Sequence, residues 1–155
     1  MKSLGIREKI LRSDHPDLAM SYQLLAETYS NLGDYLQGLE FDLKSLNIRE
    51  KSLSAGHPDL ATTYNNLADT YGELGDYQKQ LEFNLKALAI REKVLSPDHL
   101  GLITSYSNLA ATYQNLGEYQ KALEINIKTL AILEKTLPTD LPSLAISYNN
   151  LAGVF

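Results

Sequence analysis

The 155-residue sequence predicts an all-α fold, a solenoid of antiparallel helical hairpins, and three observations carry that prediction. The first is self-similarity: His15, His57 and His99 stand 42 residues apart (57−15 and 99−57), and Tyr22, Tyr64, Tyr106 and Tyr148 keep the same step. Leu25, Leu67, Leu109 and Leu151 do so too, and aligning residues 15–56 with 57–98 leaves about 26 of 42 positions identical. The second is apolar periodicity of three and four inside each unit, the mark of helices with one buried face. The third is a recurring pair of breaks, a glycine turn within each unit and a His-Pro-Asp entrance between units.

The elements follow in order along the chain. Residues 1–12 match the last half of a second helix, which places a helix over 2–12. His15-Pro16-Asp17 and His57-Pro58-Asp59 open the next units, since proline suits a first helical turn and aspartate suits the positive end of the helix dipole. In the unit starting at His57, Leu60, Tyr64, Leu67, Ala68, Tyr71 and Leu74 form the stripe of a first helix. Gly75, followed by Asp76 and Tyr77, has the chemistry of a left-handed stop and a restart, repeated at Gly33 and Gly117. Tyr77, Leu81, Leu85, Leu88 and Leu95 then make the stripe of a longer second helix, with Lys86, Arg91 and Lys93 toward its negative end. The expected helices are 2–12, 17–32, 35–54, 59–74, 77–95, 101–116, 119–137 and 142–155. The chain reads as one domain: a partial repeat over 1–14, repeats over 15–56, 57–98 and 99–140, and a partial repeat over 141–155.

Composition removes several function classes. Hydrophobic residues make up 44%, too many for a disordered tail, and 14 basic against 19 acidic residues give a net charge of −5, a poor balance for gripping phosphate backbones. Nucleic acid is therefore not an expected partner. The absence of cysteine leaves no disulfide framework, thiolate nucleophile or zinc-thiolate site, and the cytoplasm is the expected compartment. The first twelve residues mix charges among their apolar positions, and no stretch approaches the roughly 20 apolar residues of a membrane span. No HExxH, Gly-rich phosphate loop or GxSxG elbow occurs, so the protein is not expected to be an enzyme and no cofactor is expected.

The run Tyr64, Leu67, Ala68, Tyr71, Gly75, Tyr77 and Ala87 resembles the tetratricopeptide repeat signature. The 42-residue period, with the phrases AIREKVL and HPDLATTYNNLA, is similar to the kinesin light chain subgroup, whose second helix is longer by about two turns (~8 residues). The resemblance implies a right-handed superhelix. Three departures stand out: Gln80 occupies a place usually held by a small residue, which predicts looser packing in the middle hairpin; Asp42, Asn84 and Asn126 occupy a place that is often aromatic; and the fourth unit opens with Leu141-Pro142-Ser143.

Each recurring feature has a plain structural explanation to weigh first. Equivalent elements of successive hairpins lie roughly 10 Å apart, whereas zinc ligands must converge within about 2 Å of one ion, so the three histidines read as helix entrances and no metal site is expected. The Arg-Glu-Lys triplets at 7–9, 49–51 and 91–93 read as a solvated face carrying ion pairs. The tyrosine stripe reads as core with hydroxyls at the rim.

The functional expectation lies on the first helices. In relatives these line the concave surface, and the resemblance carries a peptide-binding role onto Gln23, Glu27, Asn31, Asn65, Asn66, Asp69, Glu73, Ser107, Asn108, Gln114, Asn115, Asn149 and Asn150. Amides both donate and accept hydrogen bonds, so a row of them can clasp an extended backbone. No Lys or Arg occurs in the four first helices, so a neutral or basic peptide or protein segment is the expected partner and an acidic one is disfavoured. A second expectation concerns the open ends. Leu4, Ile6 and Leu11 at one end and Leu144, Tyr148, Leu151, Val154 and Phe155 at the other come from complementary halves of one hairpin, which predicts a self-associating scaffold, a homodimer or an end-to-end assembly.

Overall fold

In the computed structural model, which describes residues 14–136, the chain forms six helices: α1 (Pro16–Asn31), α2 (Tyr35–Ser52), α3 (Pro58–Glu73), α4 (Tyr77–Val94), α5 (Gly101–Asn115) and α6 (Tyr119–Thr136). The helices expected over 2–12 and 142–155 lie outside the described residues. Extensive packing joins α1 to α2, α3 to α4 and α5 to α6 within hairpins, and α2 to α3 and α4 to α5 between them. Among the described residues the fold is all-α, three hairpins each stacked on the next.

The helix entrances obey the chemistry read from the sequence. His15 Nδ1 accepts the Asp17 amide at 3.2 Å, His57 Nδ1 accepts that of Asp59 at 3.1 Å, and His99 Nδ1 accepts that of Gly101 at 2.9 Å. All three histidines thus cap one of the amides that a helix start leaves without an intrahelical partner. Asp34 and Asp76 do the same for the second helices, their Oδ1 atoms accepting the amides of Gln37 and Lys79. The turn glycines have positive φ, at 80°, 77° and 75° for Gly33, Gly75 and Gly117. At the first turn the Asp34 amide donates to the Tyr29 carbonyl and that of Gly33 to Ser30, and the same pair of bonds recurs at the other two.

The core is built where hairpins meet. Leu46 and Ile90 of the second helices sit with Leu60, Ala61, Leu67, Ala68, Tyr71, Phe83 and Ala87 in one cluster. Leu88, Leu102, Tyr106, Leu109 and Ile132 form the next. Phe41 stacks on Tyr29 with centroids 5.5 Å apart, and Phe83 stacks on Tyr71 at the same distance. Lys44 and Lys86 lie over those two phenylalanines, each 4.9 Å from the ring centre. The third hairpin has Ile125 at the corresponding position, and there Lys128 lies over Tyr106 at 4.4 Å. Two of the tyrosine hydroxyls meet glutamates of the preceding second helix, Tyr106 donating to Glu92 at 2.7 Å and Tyr64 to Glu50 at 3.0 Å, while Tyr148 lies outside the described residues.

Gln80, expected to loosen the middle hairpin, has its bulk matched by Gly72 on the facing helix, which makes room for it. A Cβ on Gly72 would stand 2.6 Å from Gln80 Nε2. In the first hairpin the sizes are exchanged: Gly38 takes the small role, where a Cβ would lie 2.7 Å from Ser30 Oγ. In the third, Gln114 takes the large role against Ala122, which is fully buried. Size is conserved across the pair of helices and not at either position alone.

Gly75→Ala forces a left-handed conformation on a side chain although no neighbour lies within 4 Å of its Cβ, so only backbone strain opposes it. Denaturant unfolding is expected to show a loss of about 1–2 kcal/mol for Gly75→Ala and almost none for Gly56→Ala, where the space is equally open and φ is not positive.

Candidate binding groove

The polar faces of the first helices come together between the first two hairpins. A cavity of about 510 Å3 is lined by Gln23, Glu27, Ser30 and Asn31 of α1, Tyr35 and Asp42 of α2, and Asn66, Asp69, Thr70 and Glu73 of α3. Six of these belong to the set expected from the sequence. Ser30, Tyr35, Asp42 and Thr70 were not in it, because the second helix and the buried seam also contribute to the walls. A second cavity of about 610 Å3 lies between the next two hairpins, lined by Asp69, Gly72, Glu73, Tyr77, Gln80 and Asn115. Ser107, Asn108 and Gln114 are half-exposed but line neither cavity. Asn149 and Asn150 lie outside the described residues, as do the expected self-association residues Leu4, Ile6, Leu11, Leu144, Tyr148, Leu151, Val154 and Phe155.

Two of the expected residues are held by arginines of the second helices. Arg49 donates from Nη2 to the Gln23 side-chain oxygen at 2.6 Å, and from Nη1 to the Asp59 carbonyl at 3.3 Å and to the Thr63 hydroxyl. One hairpin later Arg91 donates to the Ser105 hydroxyl, and with its amide turned so that the oxygen faces the guanidinium, Asn65 accepts from Nη1 and Nη2 at 3.0 and 2.7 Å. The Arg-Glu-Lys triplets at 49–51 and 91–93 are therefore more than a solvated face. Their arginines tie α2 and α4 each to its own hairpin's first helix and to the next, and burial pulls both guanidinium pKa values down. The signal was present in the sequence. The register pairs Arg49 with Gln23 and Arg91 with Asn65, but Leu133 with Ser107, so the amide partner disappears with the arginine.

Asp42 is the chemically unusual group. Only 3% of its surface is exposed, and its Oδ2 accepts the Thr70 hydroxyl at 3.0 Å across the seam to the next hairpin. Among the described residues no salt bridge reaches it; Arg49 donates instead to Gln23, Thr63 and the Asp59 carbonyl. Burial pushes its carboxyl up to about 6; the Thr70 hydrogen bond and the more distant Arg49 pull it down, and Asp69 adds to the rise. Asp69 itself is raised, by burial and then by Glu73, and Glu73 also raises the Tyr35 phenol. In the next hairpin Asn84 occupies the equivalent place without charge, donating from Nδ2 to Thr112 at 2.9 Å.

The likeness to known proteins agrees with this architecture. The profile of the tetratricopeptide repeat matches residues 17–93, 74–135 and 102–155. The chain is similar to a kinesin light chain-type protein of Podosopora anserina with nearly identical TPR-like repeats, at 31% identity and a TM-score of 0.89, covering 99% of this chain and 72% of that one. It shares its fold with BtubC (BKLC) from P. vanneervenii, at 24% identity and a TM-score of 0.84, covering 99% of this chain and 61% of that one. The same holds for the apo form of RapI, at 19% identity and a TM-score of 0.75, over 97% and 52% of the two chains. No curated protein matches the chain. Among the described residues no helix is long and apolar enough to cross a membrane, and no group of three or more His, Cys, Asp or Glu is placed to hold a metal ion.

Asp42 makes stability depend on pH in a definite direction. Its folded carboxyl keeps its proton to higher pH than the unfolded one, whose ordinary value is 3.8, so the stabilisation is complete below about pH 4 and is lost as pH rises through about 6. Asp42→Asn removes the charge and keeps the shape. Thermal unfolding is expected to find the variant equal to the parent near pH 4 and more stable by about 2 kcal/mol at pH 7.5.

Proposed function

The chain belongs to the tetratricopeptide repeat family, and from that premise we propose that it is a non-catalytic binding module that holds a peptide or protein segment along the groove formed by α1, α3 and α5. The observation that carries this reading is the cavity between α1 and α3, walled by side chains that can donate and accept hydrogen bonds, with Asn66 and Asn31 on opposite sides. Such a wall suits an extended backbone, whose amides and carbonyls recur on both edges. Glu27, Asp42, Asp69 and Glu73 give it negative charge and no Lys or Arg lines it, which favours a neutral or basic partner. The overall charge of −5 disfavours nucleic acid, and the cytoplasm is the proposed compartment. Self-association through the terminal half-repeats is the alternative. Molar mass by light scattering separates the two, since end pairing would raise it above the 17.3 kDa of one chain as concentration increases.

The double variant Asn66→Ala, Asn108→Ala is expected to weaken a peptide selected against the parent chain by roughly tenfold or more, equivalent to about 1.4 kcal/mol, in fluorescence polarisation. Glu82→Ala, at an exposed residue of α4 that pairs with Lys86 one turn away, is expected to leave the affinity unchanged. Retention of full affinity by the groove variant would overturn the reading.

A further inference from the structure

Resting on that reading, we propose that the cavity between the first two hairpins is a specificity pocket for a lysine or arginine side chain of the bound segment, with Asp42 at its floor and an apolar neighbour of that residue lying on Met20 and Leu24. The pocket holds four carboxylates, Glu27, Asp42, Asp69 and Glu73, and no cation lines it. An acidic wall alone would be unremarkable. What singles this pocket out is that its one buried carboxylate has no ion pair among the described residues and accepts on Oδ2 from Thr70. A carboxylate taken out of water with no counterion is costly, and a cation brought to it recovers much of that cost. The groups facing Asp42 are Glu27 on α1, Tyr35 and Arg49 on α2, and Asp69, Thr70 and Glu73 on α3. Arg49 acts on Asp42 only from a distance and is hydrogen-bonded to Gln23, Thr63 and the Asp59 carbonyl, so no cation among the described residues is in contact with the carboxylate.

The carboxylates are not arranged to hold a metal ion, whereas a cavity of about 510 Å3 admits a long cationic side chain. The first hairpin also differs from the others beside this pocket. Met20, Gln23, Leu24 and Glu27 fall on one face of α1 at three-and-four spacing. Met20 and Leu24 are each 59% exposed, and one period later their places are taken by Thr62 and Asn66. An apolar surface thus adjoins the acidic pocket at this hairpin and at neither of the next two. In the same register Asp42 gives way to Asn84 and Asn126, so buried negative charge and exposed apolar surface occur together.

The test is selection of a randomised twelve-residue peptide library, displayed on phage, against the full chain. The expected result is enrichment of sequences with a Lys or Arg beside an apolar residue. The synthesised best binder should lose at least tenfold in affinity on Asp42→Asn, and as much when its basic residue is changed to Gln. Parent affinity should rise between pH 5 and pH 7, as a cation binds the ionised carboxyl, and Asp42→Asn should remove most of that rise, leaving the smaller share that Asp69 contributes. Asparagine already stands at this register in the next two hairpins, so the variant keeps the seam. Peptides that bind without a basic residue, or indifferently to Asp42→Asn, yet are lost with Asn66→Ala, would overturn the pocket and leave the groove standing. Enriched peptides unaffected by Asn66→Ala, or no enrichment at all, would overturn both.

Discussion

A single helical hairpin cannot bury its apolar face, and the rest of this molecule follows from that constraint. Each second helix must find the first helix of the next unit, so the same face has to reappear every 42 residues, and Leu46, Leu60 and Ile90 meet in one cluster because of it. The seam is also tied by polar groups that cross it. Asp42 reaches Thr70 and Asn84 reaches Thr112, while Arg49 and Arg91 bridge to Thr63 and Ser105. Buried polar contacts of this kind stabilise little on their own but are expensive to break, so they fix the register in which hairpins stack.

Stacking in register sets the first helices side by side and leaves their polar faces as continuous walls, which is how a repeat built for packing acquires a groove. The walls are not uniform. The first hairpin carries Met20, Leu24 and Asp42 where the others carry threonine, asparagine and asparagine, so its cavity gains a buried carboxylate while exposed apolar side chains stand on the same face of α1 as Gln23 and Glu27. A duplicated array becomes selective through such departures from its own period, since positions shared by every repeat treat every residue of a bound segment alike.

Much of the fold was legible because its punctuation is local. His57 capping Asp59, the positive φ of Gly75 and the restart at Asp76 depend on residues within one turn of each other, and the periodic stripe did the rest. What the sequence hid was pairwise across helices. Gln80 looked like a packing defect until Gly72 was found opposite it, and Gln23 and Asn65 looked free until the arginines of the second helices were found against them. Asp42 read only as a departure from an aromatic position. Its importance comes from burial beside Asp69 and Thr70, which no spacing along the chain reveals.

The central claim is that the groove between the first helices is the binding surface, and backbone amide chemical-shift mapping with a selected peptide tests it most directly. The account predicts that the shifted amides run along α1 and α3, from Gln23 to Asn31 and from Asn66 to Glu73, and extend onto α5. Shifts confined to the outer faces of α2, α4 and α6, around Glu40, Glu82 and Glu124, would contradict it.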